Sequence, residues 1–120
     1  MNNDDILFST KDPLNRSIIL SSNRNYEHII SSDNEHQAHP EFTPEEIKKA
    51  IENPDVIYES KRPDTDVFFG KTCVQYPSLY LKVPVVIYSD NTGEVSTAFL
   101  SKHISGNIKE GGLKYVKPRL

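Results

Sequence analysis

Leu79-Tyr80-Leu81-Lys82-Val83-Pro84-Val85-Val86-Ile87-Tyr88, followed by Asp90-Asn91-Thr92-Gly93 and then by Glu94-Val95-Ser96-Thr97-Ala98-Phe99-Leu100, is the stretch on which the fold turns. Two runs of β-branched and aromatic residues separated by an Asp/Asn/Gly turn read as an antiparallel hairpin, with Gly93 able to take a positive φ. Pro84 cannot donate to a ladder, so a bulge, or an edge position for that part of the strand, is expected there. Period-two alternation puts Leu79, Leu81 and Val83 on one side and Tyr80 and Lys82 on the other, so a phenol and a cation share a face. In the partner strand the same alternation groups Val95, Thr97 and Phe99 against Ser96, Ala98 and Leu100.

Working backwards, Val56-Ile57-Tyr58 and Val67-Phe68-Phe69 are two more short strands, joined through a turn at Lys61-Arg62-Pro63-Asp64. Four antiparallel strands are therefore expected from Asp55 onward. Before them the period changes to a helical one. Thr43 with Glu46 three residues later forms a capping box, Pro44 suits the first helical position, Phe42 and Ile47 suit a hydrophobic staple, and Ile47, Ala50 and Ile51 make one apolar stripe that Asn53-Pro54 ends. A second helix is expected around Tyr26, Ile29 and Ile30, with Ser21-Ser22-Asn23 as its cap and His28 beside the stripe. Arg16 to Leu20 reads as a short strand, residues 1–15 as an N-terminal arm, and residues 31–41 as a long polar loop rich in His. Gly106 to Leu120 is basic and shows no period. The fold class expected is α+β, with N-terminal helices packed on a four-stranded antiparallel β-sheet: an arm over 1–15 and a single domain over 16–120.

The chain of 120 residues carries a formal net charge of −3 and 36% hydrophobic residues, which suits a single core without staples. A lone Cys73 excludes an internal disulfide. No basic-then-apolar leader opens the chain and no apolar run reaches bilayer length, so a cytoplasmic protein without a membrane partner is expected. The overall charge argues against a general polyanion coat. The halves differ, however: residues 1–60 hold 5 Lys/Arg against 12 Asp/Glu and residues 61–120 hold 9 against 5, so a polyanion site belongs to the second half.

Four histidines, His28, His36, His39 and His103, are the acid–base candidates near neutral pH. His36 and His39 with Glu35 or Glu41 could be set around a metal, but no Cys joins them and a polar loop fixes ligands poorly, so neither metal nor cofactor is expected. Cleaving RNA without metal requires a base for the ribose 2′-hydroxyl, an acid for the departing 5′-oxygen and cations for the crowded phosphorane. His28 and His39, Lys82, Tyr80 and Thr97 have the residue types for that catalysis. Lys61, Arg62, Lys71, Ser96, Lys102 and His103 near strand ends could extend a phosphate track.

The order of Tyr26-Glu27-His28-Ile29-Ile30, His39-Pro40-Glu41, Ile51-Glu52-Asn53-Pro54-Asp55-Val56-Ile57, Tyr80-Leu81-Lys82-Val83 and Val95-Ser96-Thr97-Ala98-Phe99 resembles the phage-associated nuclease-like domains grouped with barnase, EndoU, colicin and RelE. The resemblance spans residues 16–104. It implies helices on a four-stranded antiparallel sheet and a metal-independent ribonuclease, used as a toxin or in phage and plasmid conflict. By it His28 and His39 match the helix and loop histidines, Lys82 the strand cation and Thr97 the last-strand hydroxyl. The implied partners are RNA, as tRNA or ribosome-associated mRNA, and a cognate antitoxin or immunity protein. The competing expectation is a non-catalytic interaction module of phage or mobile-element origin that binds a protein through acidic residues 27–59.

Overall fold

The computed structural model describes residues 6–21 and 42–118. Eight strands, β1 (Ile6–Lys11), β2 (Ser17–Ser21), β3 (Val56–Ser60), β4 (Thr65–Gly70), β5 (Tyr80–Ile87), β6 (Thr92–Val95), β7 (Phe99–Ser101) and β8 (Ile108–Val116), form one sheet, and α1 (Pro44–Glu52) is the one helix among the described residues. The spatial order is β1-β2-β6-β5-β4-β3-β8, with β7 on β5. Every pairing is antiparallel except β2 with β6, which is parallel.

This corrects the expected fold class. The protein is mostly β, with a mixed eight-stranded sheet, and is not a set of N-terminal helices on a four-stranded antiparallel sheet. The four strands read from Asp55 onward are present, in the expected antiparallel order, as the middle of a wider sheet. What was missed lies at the flanks. Ile6–Lys11, inside the stretch read as an N-terminal arm, pairs with β2, and the aperiodic basic tail becomes β8 on the free side of β3. Two register shifts between β3 and β8 erase the alternation that would have marked the tail as a strand. The helix expected around Tyr26 and the loop histidines lie outside the described residues.

The hairpin at β5 explains why Pro84 is tolerated in a strand flanked on both sides. Val85, Val86 and Ile87 pair with Val95, Glu94 and Gly93, whereas Lys82, Leu81 and Tyr80 pair with Phe99, Leu100 and Ser101. The register slips by one residue between these sets, so β6 and β7 are halves of one strand interrupted at Ser96-Thr97-Ala98. The interruption faces Pro84, whose carbonyl accepts from Ser96 N at 2.9 Å. The missing donor of proline and the bulge of its partner therefore coincide. The slip also corrects the expected faces: Val95, Ala98 and Leu100 all join the core, and Phe99 points the other way from Val95.

At the turn, Asn91 takes the positive φ of 71° that Gly93 was expected to supply. Asp90 Oδ1 accepts from both Thr92 N and Thr92 Oγ1, and these bonds hold its carboxyl below the usual range. Gly93 is needed for a different reason. A Cβ there would lie 2.8 Å from Ile18 Cδ1 and 2.9 Å from Val86 O, where β2 and β5 close on β6.

One sheet face carries the main core. Phe8, Ile18, Leu20, Ile57, Phe68, Leu81, Val83, Val85 and Val95 are buried against Ile47, Ala50 and Ile51 of α1. The helix begins as expected, with Thr43 accepting from Glu46 N, the Glu46 side chain accepting from Thr43 N, and Pro44 in the first turn. Ile47 and Ile51 are fully buried, a contribution of about 2 kcal/mol each from apolar area. Thr10 Oγ1 donates to Glu52, tying the end of the helix to β1.

Candidate functional site

Val67 and Phe69 are as buried as the core residues yet lie on the opposite face of the sheet, beside Lys82. Alternation in β5 sends Leu81 and Val83 into the main core and leaves Tyr80 and Lys82 on this second face, as the sequence implied. Lys82 is only 6% exposed. The covering material is Phe99, directly across from it on β7, and the segment Lys102–Asn107, which runs from β7 to β8.

The ammonium of Lys82 organises that segment. Nζ donates to the carbonyl oxygens of Ser105 at 2.8 Å and Gly106 at 2.7 Å, and lies 5.7 Å and 5.2 Å from the ring centroids of Phe69 and Phe99. No carboxylate is paired with it among the described residues. A cation removed from water this way loses solvation, and burial lowers the pKa of Lys82 below its ordinary value. Gly106 has φ +90°, and a Cβ on it would sit 2.7 Å from the ammonium, so the carbonyl grip on Lys82 requires glycine here.

Several residues singled out from the sequence border this segment. Ser101, whose partner on β5 is Tyr80, donates through Oγ to the carbonyl of His103 at 2.7 Å and so starts the turn that exposes Lys102 and His103. At the far end Asn107 O accepts from Lys61 N at 3.0 Å and from Ser60 Oγ at 3.1 Å, while Ser60 Oγ also accepts from Arg62 N. The Lys61-Arg62 turn and the Lys102–Asn107 segment are thereby joined. Lys71 lies over the ring of Tyr80 at 4.9 Å, and Tyr80 meets Phe69 edge to face at 6.1 Å. The result is a row of two cations and three rings, Lys71, Tyr80, Phe69, Lys82 and Phe99, along one sheet face. Lys61, Arg62, Lys71 and Lys102 are exposed, and none shares an ion pair among the described residues.

The remaining candidates are placed as follows. Ser96 and Thr97 are half-buried in the bulge opposite Pro84, two to three residues before Phe99. His28, His36 and His39 lie outside the described residues. Among the described residues no group of three or more His, Cys, Asp or Glu is gathered for a metal ion, and no helix is long and apolar enough to cross a membrane. Phe99 and Gly106 were missed by the sequence reading. Alternation grouped Phe99 with Val95, and the one-residue slip at 96–98 turns it to the opposite face.

A second charged group lies on the core face and has a different character. Arg16, 5% exposed, is held by Asp12 at 2.8 Å and Asp66 at 2.7 Å, and Lys114 of β8 reaches Asp66 at 3.1 Å. Asp12 further accepts from the backbone N–H groups of Leu14 and Arg16. Both carboxylates are already paired, so the group joins the β1–β2 turn, β4 and edge strand β8 rather than offering charge to a ligand.

No family model matches the chain, and no curated protein or solved structure matches it.

Proposed function

We propose that the protein binds RNA along the Lys102–Asn107 segment and cleaves it without a metal ion. The observation that carries the reading is the row of exposed cations along one segment, Lys61-Arg62 bonded at its Asn107 end and Lys102, His103 and Lys71 at its Ser101–Tyr80 end, with none of the four Lys/Arg cations shared with a carboxylate among the described residues. Exposed cations of one sign around a turn suit the phosphates of a polynucleotide, which supply most of the affinity of such complexes. Lys82 serves this site indirectly. Its ammonium is committed to two carbonyls, so it shapes the segment that presents Lys102 and His103.

The chemistry proposed is transesterification. A neutral imidazole takes the proton of the ribose 2′-hydroxyl, the 2′-oxygen bonds to phosphorus, the bond from phosphorus to the 5′-oxygen breaks, and a protonated group returns a proton to that oxygen. The products are a 2′,3′-cyclic phosphate and a free 5′-hydroxyl. His28 and His39 are the acid and base by the resemblance to the barnase, EndoU, colicin and RelE grouping, and His103 is the imidazole within the described surface.

The test is incubation of a tRNA and ribosome mixture with micromolar protein in excess EDTA, followed by end-group analysis. Cyclic-phosphate ends that disappear in His28→Ala, His39→Ala or His103→Ala support the reading, and RNA left intact removes the cleavage step. The alternative is a non-catalytic module that binds a protein through an acidic surface, to which Glu45 and Glu52 of α1 contribute exposed carboxylates. Affinity capture that retains a discrete protein and no RNA would favour it.

A further inference from the structure

Phe99 is a large apolar residue left 42% exposed, and the fold fixes its position. The slip at Ser96-Thr97-Ala98 turns it away from the core that Val95, Ala98 and Leu100 enter. A buried ammonium, Lys82 Nζ, lies 5.2 Å from its ring centroid, so the ring is held by the cation while the residue stays partly in solvent. Along the sheet, Tyr80 pairs with Ser101 and Lys82 with Phe99, which makes Tyr80 and Phe99 diagonal neighbours, about 7–8 Å apart at their backbones. That separation is within the reach of successive bases on an extended strand. Lys71 over Tyr80 and exposed Lys102, next after the Ser101 that pairs with Tyr80, place two cations at the Tyr80 end of the two rings.

We infer that this face is a stacking platform for single-stranded RNA, with Phe99 taking the face of one unpaired base and Lys71 and Lys102 taking phosphates of the strand where it runs on past Tyr80. The inference rests on the RNA reading above and narrows it to unpaired substrate. Duplex RNA offers phosphates but no free base faces, whereas a single strand offers both, and stacking on an aromatic side chain tolerates any base. A surface that needed phosphate contacts alone would have no use for a ring held outward over a buried cation.

The experiment is fluorescence anisotropy with the full chain and short labelled 2′-O-methyl oligonucleotides, in which the blocked 2′-oxygen prevents cleavage. A single strand and the blunt duplex of the same sequence are compared across a salt series. The single strand is expected to bind at least tenfold tighter than the duplex. Phe99→Ala is expected to weaken single-strand binding about 5- to 150-fold without changing the salt slope, and Phe99→Tyr to retain binding. Lys102→Ala should lower the slope by about one. Because Phe99 is partly exposed, Phe99→Leu keeps apolar cover over Lys82 and serves as the variant in which lost stacking is separated from lost folding. Equal binding of duplex and single strand, or Phe99→Leu within twofold of the parent, overturns the platform while leaving RNA binding standing. Failure of both nucleic acids to bind at micromolar protein overturns the platform and the RNA reading together.

Discussion

Replacing Lys82 by Met shortens the side chain by one heavy atom and removes the ammonium while keeping most of the stem. Two charge-assisted hydrogen bonds, to Ser105 O and Gly106 O, are lost, at about 2 kcal/mol each, together with about 1 kcal/mol of attraction to the rings of Phe69 and Phe99. Against this stands the solvation recovered by no longer burying a cation without a carboxylate among the described residues, about 3 kcal/mol. Ser105 and Gly106 are exposed, so their carbonyls can turn to water. The net expectation is a destabilisation of about 2 kcal/mol, read as a shift in the urea midpoint at unchanged slope.

A double-mutant cycle isolates the contact itself. Gly106→Ala places a Cβ 2.7 Å from Nζ at φ +90°. The backbone strain is common to both backgrounds and cancels, whereas the clash exists only with Lys82 present, so a coupling of about 1 kcal/mol is expected. The pH dependence has a definite sign. Burial holds the folded pKa of Lys82 below its ordinary, unfolded value, so between the two the unfolded chain binds more protons and stability rises with pH. Relative to Lys82→Met, the parent should therefore gain stability as pH climbs through the lowered value towards the ordinary one. A variant as stable as the parent, or no coupling to Gly106→Ala, would refute the carbonyl clamp, and a parent that loses ground as pH rises would refute the burial penalty on its charge.

Two further outcomes test the rest of the fold. Gly93→Ala should cost about 1–3 kcal/mol in chemical denaturation, because its Cβ would overlap Ile18 Cδ1 and the carbonyl of Val86, and a neutral result would show that β2 does not close on β6 as described. Asp66→Ala leaves Arg16 buried with Asp12 as its remaining carboxylate and frees Lys114, so a loss of about 3 kcal/mol is expected, with faster amide exchange in β8 than in β4.

The sequence carried the local structure well where one physical signal acted alone. The Thr43, Pro44 and Glu46 cap needs only neighbouring residues, and its bonds form as the spacing implies. The runs at 56–58, 67–69 and 79–88 are β-branched and aromatic, bounded by turn residues, and all three are strands paired antiparallel in chain order. The sharing of a face by Tyr80 and Lys82 also follows from alternation, since no irregularity lies between them.

What the sequence did not show is whatever depends on residues distant along the chain. The β6–β7 slip comes from Pro84 on the facing strand, so alternation within Glu94–Leu100 placed Phe99 with Val95. The parallel contact of β2 with β6, and the addition of β1 and β8 at the flanks, depend on edges that only the assembled sheet creates. Lys82 read as a cation open to phosphate because periodicity reports a side and not what lies over it. The Lys102–Asn107 segment folds across that side and takes the ammonium for its own carbonyls. Residue order alone thus determined the helix, the central strands and the shared face of Tyr80 and Lys82, because those follow from the local geometry of an uninterrupted backbone. Tertiary structure decided which face is covered, which cations stay in water and which ring is turned outward, because burial is a property of what packs on a surface from elsewhere in the chain.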